Sequence, residues 1–361
     1  MKNLIIRPLT PDDRTEMIDL LATRDGADMS SAEQRWTMLS WMAFHNPVAD
    51  GEPTYYVAVY KDHIVAHLGR MPALFAYKGT EHRGYFIHDL FVHPSKRKQG
   101  LGFFVSIALY DRANKDSNSF CCLVWTTPLN LELQRKSGYL ETSATGLVRP
   151  LNGNDFLKHP IARRILNPMV SGLSRMTGSI LEGFGGNGTT TRTVARCDSQ
   201  FDILWNSLRP RLNLCSSKSA AILNWKYVDR PFARETIIVA ERAGALTGFI
   251  ALTTSPEKRE EKVGIVVDIL ADPDDKHTVA ALCQAAVRHF HNLRLGSARA
   301  VMSDPRFASI FRRHFFLATA NARRVVMFGN VDRSPVPGDV LTDTNQWNFT
   351  RGESDGYMLS T

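Results

Sequence analysis

The stretch Gly84 to Ala113, GYFIHDLFVHPSKRKQGLGFFVSIALYDRA, decides how this chain is read. Phe86 to Val92 is apolar and aromatic with two polar interruptions, His88 and Asp89, and predicts a strand. Pro94 opens a loop that carries Lys96, Arg97 and Lys98 in a row. Gly100-Leu101-Gly102 then begins a helix whose body, Phe103 to Tyr110, is apolar on nearly every side. A strand, a basic glycine-containing turn and a buried helix together make an anion site. Glycines let the backbone approach a phosphate closely. The free N–H groups of a first helical turn point at it, and the helix dipole favours negative charge there. The turn contains neither G-x-x-x-x-G-K-[ST] nor G-x-G-x-x-G, so it is not a P-loop and not a dinucleotide fingerprint.

What stands here is Arg97-x-x-Gly100-x-Gly102. It resembles the R/Q-x-x-G-x-G/A pattern of the GNAT superfamily of CoA-dependent acyltransferases. The resemblance extends to both sides. Asp89-Leu90-Phe91-Val92-His93-Pro94 is similar to the family's fourth strand and its exit, and Phe120 to Trp125 to its fifth. Leu133 to Tyr139 resembles the segment that follows. The resemblance implies an α/β fold with a mixed sheet splayed open where CoA enters. It implies acetyl-CoA, or another acyl-CoA, as donor. The pantetheine arm would lie along the backbone of Leu90, Phe91 and Val92, and the pyrophosphate on the turn of Arg97, Lys98, Gln99, Gly100, Leu101 and Gly102. The position where many members place an Asn on CoA is Thr127 by count, with Asn130 close by as the candidate.

The family's base is commonly a carboxylate on the central strand, or a water held by one. Here that strand offers His88 and Asp89 as candidate catalytic residues. Strict alternation places them on opposite faces, His88 with Phe86, Leu90 and Val92, and Asp89 with Ile87 and Phe91. An unperturbed His titrates near pH ~6.5 and suits proton abstraction, although a His on an apolar face also serves simply as core. Glu81 and His82, just before the strand, are further candidates. The family's usual acid, a Tyr, falls on Gln134 by count, and Gln cannot donate a proton as Tyr can. The resemblance therefore leaves the thiolate's acid unassigned, with Tyr110 and Tyr139 the nearest phenols.

The chain has 361 residues, more than one typical core requires, so two domains are expected. No run of ~18 apolar residues occurs, so no membrane span is expected. The N-terminus, MKNLIIRPLTPDD, has no long apolar region, which speaks against a secretory signal. The 5 cysteines show no C-x-x-C spacing, so we expect reduced thiols, a cytoplasmic location and no metal site. Net charge is +8, which a polyanionic cofactor accounts for in part. No basic stripe is interleaved with aromatics, and nucleic acid is not expected as a partner.

The second half repeats the first in outline. Trp41-x5-Pro47 recurs as Trp225-x5-Pro231, and Asp89-Leu-Phe-Val-His-Pro94 as Asp268-Ile-Leu-Ala-Asp-Pro273. Pro128 leading to Gly138-Tyr139 recurs as Pro305 leading to His314-Phe315. Where the first half has the basic glycine turn, the second has Asp274-Asp275-Lys276-His277, whose acids would repel a pyrophosphate. The expected layout is two tandem GNAT-like domains. An acyl-CoA-binding domain would occupy 1–150, a helical connector and loop 151–200, a degenerate copy 201–332 and a tail of unassigned role 333–361. The leading expectation is an acyl-CoA-dependent N-acyltransferase acting on a small-molecule amine such as an amino sugar or amino acid. A non-catalytic CoA-binding scaffold and a Fem-type transferase using charged tRNA are the alternatives. The acceptor region is expected at about Arg24 to Asp50.

Overall fold

The computed structural model describes residues 3–24, 27–98, 101–115, 121–124, 131, 134–136, 138–152, 188–255, 263–329 and 331–353. The first half runs β1 (Leu4–Pro8), α1 (Arg14–Ala22), α2 (Met29–Phe44), β2 (Tyr55–Tyr60), β3 (His63–Tyr77), β4 (Thr80–Val92), α3 (Pro94–Lys98), α4 (Leu101–Lys115), β5 (Cys121–Val124) and β6 (Leu140–Pro150). The second half runs β7 (Thr189–Val194), α5 (Ser199–Leu208), β8 (Cys215–Ser216), α6 (Ala220–Tyr227), β9 (Thr236–Arg242), β10 (Ala245–Thr254) and β11 (Val263–Ala271). It continues through α7 (Lys276–Asn292), β12 (Ser297–Met302), α8 (Pro305–Arg313) and β13 (Leu317–Gly329) to a short α9 (Gly338–Thr342). The sequence reading took 151–200 as connector; within it the structure has the strand β7, which pairs antiparallel with β9 at the sheet edge.

All the strands among the described residues belong to one sheet, in the order β1-β2-β3-β4-β5-β13-β6-β12-β11-β10-β9-β7, with β8 paired to β3. The two halves run inward from opposite edges and meet at the centre. There the last strands of the halves are exchanged. β13 lies against β5 of the first half, and β6 lies against β12 of the second. The two exchanged strands pair with each other.

The hydrophobic pattern explains the layering. On one face α1, α2, α5 and α6 share a single core that crosses the seam, holding Met17, Leu21, Trp36 and Leu39 together with Leu204, Trp205, Leu223 and Trp225. On the other face the halves keep separate cores. α4 packs Val105, Leu109, Tyr110 and Ala113 on Tyr56, Leu68 and Ile87. α7 and α8 pack Leu282, Ala286, Phe290 and Phe311 on Ile250 and Ile269.

The tail of unassigned role threads back into the molecule. Trp347 stacks on Phe349, with centroids 4.0 Å apart, and meets Phe75 of β3 edge-on at 6.2 Å. Glu353 is buried and accepts from Lys218 Nζ at 2.6 Å, while Lys218 also donates to Asp268 Oδ2 at 2.7 Å. Asp268 accepts further from the Tyr227 hydroxyl at 2.8 Å and from Thr350 Oγ1 at 2.9 Å. Charges buried this deeply persist only when paired and hydrogen-bonded, and the tail supplies part of the partners.

Candidate active site

The central strand β4 pairs with β3 along its length, but the register slips between His67/Phe91 and Gly69/His88. One extra residue on β4 makes a bulge, and Asp89 within it has φ +49°, a left-handed conformation that Asp tolerates better than most residues. The bulge overturns the expected alternation. His88 and Asp89 point to the same side of the sheet, toward α1 and α2, together with Phe86 and Phe91. Leu90 and Val92 fall on the α4 side with Ile87.

Asp89 is not placed as a free base. Its side chain is 3% exposed, accepts from Arg24 Nη2 at 2.7 Å and lies 3.5 Å from Arg35 Nη1 and 3.7 Å from His67 Nδ1. Burial opposes its charge, but His67, Arg24 and Arg35 outweigh it and hold the carboxyl below the usual range. Burial pushes His67 down to about 4, so at neutral pH it is uncharged and the two guanidiniums supply the compensation. Arg24 also sits over the Phe91 ring at 4.4 Å. Asp89 therefore reads as the anchor that fixes the bulge to α1 and α2.

His88 is buried, and its Nδ1 lies 3.3 Å from the Tyr55 hydroxyl, whose ring meets it edge-on. The imidazole lies across Gly69 of β3. A Cβ at Gly69 would stand 2.3 Å from His88 Nε2, so only glycine leaves room for this ring position. Glu81, by contrast, is bound to Trp205 Nε1 at 2.9 Å and Arg209 at 3.5 Å, which makes it a tie across the seam.

The stretch expected to face the donor begins where the described β4–β5 pairing stops. The two pair in parallel only at Tyr85/Cys121 and Phe86/Cys122. Beyond Phe86, the β5-facing edge of Leu90, Phe91 and Val92 has no strand partner among the described residues. This edge leads into the basic turn. α3 carries Lys96, Arg97 and Lys98, with Lys96 Nζ 5.0 Å over the Tyr60 ring and Arg97 Cζ 5.4 Å over Phe91. α4 opens at Leu101-Gly102, and a Cβ on Gly102 would press on Arg97 at 3.1 Å. Gln99, Gly100 and Asn130 lie outside the described residues. His93, held low by burial and by Lys96 and Arg97, accepts from the Ser95 amide at 3.1 Å and stays neutral. An open strand edge, a helix N-terminus and adjoining cations fit a pantetheine arm and its pyrophosphate.

Gln134 is fully buried and donates to the Tyr110 hydroxyl at 3.2 Å, so the position where a Tyr acid is usual has become part of the α4 packing. Tyr139 packs against Tyr110 at 6.0 Å and donates to Asn114 at 3.2 Å. Sequence reasoning missed Arg24, Arg35, His67 and Gly69 as parts of the site. Their only signal was that Arg24 and Arg35 fall in the stretch marked for the acceptor. No set of His, Cys, Asp or Glu suited to a metal occurs among the described residues.

Residues 17–135 match the model of the acetyltransferase (GNAT) family. No curated protein sequence matches the chain. Among solved structures, a GCN5-related N-acetyltransferase from Anabaena variabilis is 12% identical with a TM-score of 0.60, covering 90% of this chain and 72% of that one. One from Kribbella flavida is 15% identical at 0.60, covering 91% and 71%. Saccharomyces cerevisiae N-myristoyltransferase, solved with myristoyl-CoA, is 13% identical at 0.58, covering 91% and 83%. At such identities the likeness speaks for the fold alone. Residues 17–135 thus carry the match to the acetyltransferase (GNAT) family, and the fold over most of the chain is like that of these solved structures.

Proposed function

We propose that this protein is an acyl-CoA-dependent N-acyltransferase acting on the amine of a small molecule. The observation that carries the reading is that the described parallel pairing of β4 with β5 ends at Phe86, beside the basic turn and the start of α4. When bound, acyl-CoA supplies an activated thioester carbonyl. The backbone of Leu90, Phe91 and Val92 would hold its arm, and Arg97, Lys98 and the turn through Gln99, Gly100, Leu101 and Gly102 would take its phosphates, with Asn130 nearby. His88 would accept the proton that the amine loses on attack, its ring position set by Gly69 and Tyr55. Asp89, Arg24 and Arg35 position the strand that bears it.

We further infer two copies of one unit, residues 1–150 and 201–332, joined by 151–200 and closed by a tail, 333–361. Each half runs through a strand, two helices, three consecutive strands, helix and strand, the first splitting its later helix into α3 and α4 and the second adding the short β8 and drawing its first strand, β7, from before residue 201, which supports this. The second half carries Asp275 bonded to Arg242 and Thr278 where the first has its glycine turn, so donor binding falls to the first. A cytoplasmic location accords with Cys197, Cys215 and Cys283 being free and buried. No helix among the described residues is long and apolar enough to cross a membrane.

Thermal unfolding with and without acetyl-CoA tests the donor site. Donor at about 100 times its dissociation constant should stabilise the wild type by about 2.7 kcal/mol. The shift should vanish in Gly100→Glu, which sets a carboxylate in the turn. No shift in the folded wild type would refute the proposal, and thiol release with a panel of amines then tests transfer.

A further inference from the structure

A small cavity of about 20 Å³, room for about one water-sized group, lies at the seam of the two halves. Met71 and Phe86 line it from β3 and β4, and Ser216, Ser217, Trp225 and Lys226 from the second half. The lining is mostly apolar, with a few side-chain groups able to donate a hydrogen bond. Ser216 Oγ, Ser217 Oγ and Trp225 Nε1 are buried and have no hydrogen-bond partner among the described residues. The three residues are 5%, 2% and 7% exposed. Lys226 is 5% exposed; its ammonium donates to the Gly352 carbonyl at 2.7 Å, and no carboxylate lies at ion-pair distance from it among the described residues. Burial lowers its pKa, as expected of a cation without a direct counter-ion. Asn46, also in the lining, donates its amide N–H to Pro72 O, and its oxygen accepts from the Val48 amide. Idle buried donors beside an unpaired ammonium cost free energy unless an acceptor, best an anion, completes them.

The cavity sits on the side of β4 that carries His88. Phe86, which lines it, is two residues from His88 on the same face, and Met71 is cross-paired with Phe86 as Gly69 is with His88. Two residues along a strand span about 6.7 Å. We propose that this cavity binds the carboxylate of the acceptor, so that the substrates are aminocarboxylates whose amine and carboxylate lie about 7 Å apart. The amine then reaches His88 while the apolar spacer lies along Met71 and Phe86. The His88 end of this inference rests on the acyltransferase reading; the anion site does not.

The test uses the full-length protein with 6-aminohexanoate, hexylamine and acetate as probes. Binding is read first without CoA, by calorimetry and thermal shift. 6-Aminohexanoate should bind, and hexylamine should not. Trp225→Phe keeps a ring and removes the N–H, and Ser217→Ala removes a hydroxyl. Each should weaken 6-aminohexanoate about tenfold or more, the range for a hydrogen bond to a charged group. Equal binding of 6-aminohexanoate by wild type and both folded variants overturns the proposal, as does hexylamine binding equally well. Acetate binding as tightly as 6-aminohexanoate makes this a free-anion site and overturns the acceptor assignment. Turnover with acetyl-CoA comes second. A KM lower for 6-aminohexanoate than for hexylamine, raised in Trp225→Phe, supports it, and an unchanged preference in that variant overturns it. Failure of the acyltransferase reading looks different. No amine releases thiol, yet binding of 6-aminohexanoate stays dependent on Trp225, and the anion site stands.

Discussion

Replacing Asp89 by Asn would show whether this residue is an anchor or a base. The carboxylate is 3% exposed and faces Arg24 at 2.7 Å and Arg35 at 3.5 Å, which are themselves 21% and 27% exposed. Removing one partner of a fully buried ion pair costs about 3–5 kcal/mol, because the other charge is stranded. Here both guanidiniums can be partly rehydrated, so the expected loss is about 2–3 kcal/mol. Asn accepts the positive φ of this position about as readily as Asp, so the change isolates the charge. Asp89→Ala adds backbone strain of about 1–2 kcal/mol on top. Urea denaturation followed by far-ultraviolet circular dichroism at pH 7 measures both. A double-mutant cycle with Arg24→Ala should give a coupling of about 1 kcal/mol or more. The sign with pH follows from the lowered pKa of the carboxyl: its stabilisation is complete above the unfolded value near ~3.9 and fades below it. An Asp89→Asn protein within about 0.5 kcal/mol of wild type would refute the anchor role, since that is the range of an inconsequential surface change.

Other expectations follow from the same geometry. Gly69→Ala places a Cβ 2.3 Å from His88 Nε2 and must displace the ring; kcat should fall about 100-fold with acetyl-CoA binding unchanged, and equal turnover would remove His88 from the mechanism. His67 sits at about 4 in the fold, against an unfolded value near ~6.5. The unfolded chain thus takes up a proton first, and stability should fall by about 3 kcal/mol as pH drops from about 6.5 to 4. Urea curves across that window should flatten in His67→Phe, and an unchanged slope would contradict a buried neutral imidazole. Lys218→Met strands Asp268 and Glu353 together and should cost about 3–5 kcal/mol in denaturant, whereas a neutral result would mean the tail is not held by this cluster.

The strand, basic turn and helix from Phe86 to Tyr110 were legible because each is written in local pattern: an apolar run, a proline, glycines, a second apolar run. The faces of His88 and Asp89 were not. A bulge is one φ angle at Asp89, and hydrophobic alternation does not record it. Arg24 reaches Asp89 across 65 positions, so nothing near either residue announces the pair. The partners of the repeat anchor Asp268, namely Lys218, Tyr227, Thr350 and Glu353 through Lys218, lie scattered over the second half and the tail. The exchange of β6 and β13 was invisible for the same reason. Each strand has an ordinary pattern, and only long-range pairing shows which half it completes.

That exchange sets a timetable for biosynthesis. β5 ends at Val124, and the strand that covers its outer edge begins at Leu317. At about 5–20 residues per second, translation leaves that edge bare for about 10–40 s. Through this interval the nascent first half presents an unpaired β-edge, the kind of surface on which chains mis-associate. The sheet of the first half is completed on its β5 side only once Leu317 to Gly329 have been made, so the two halves reach their final pairing together rather than in succession.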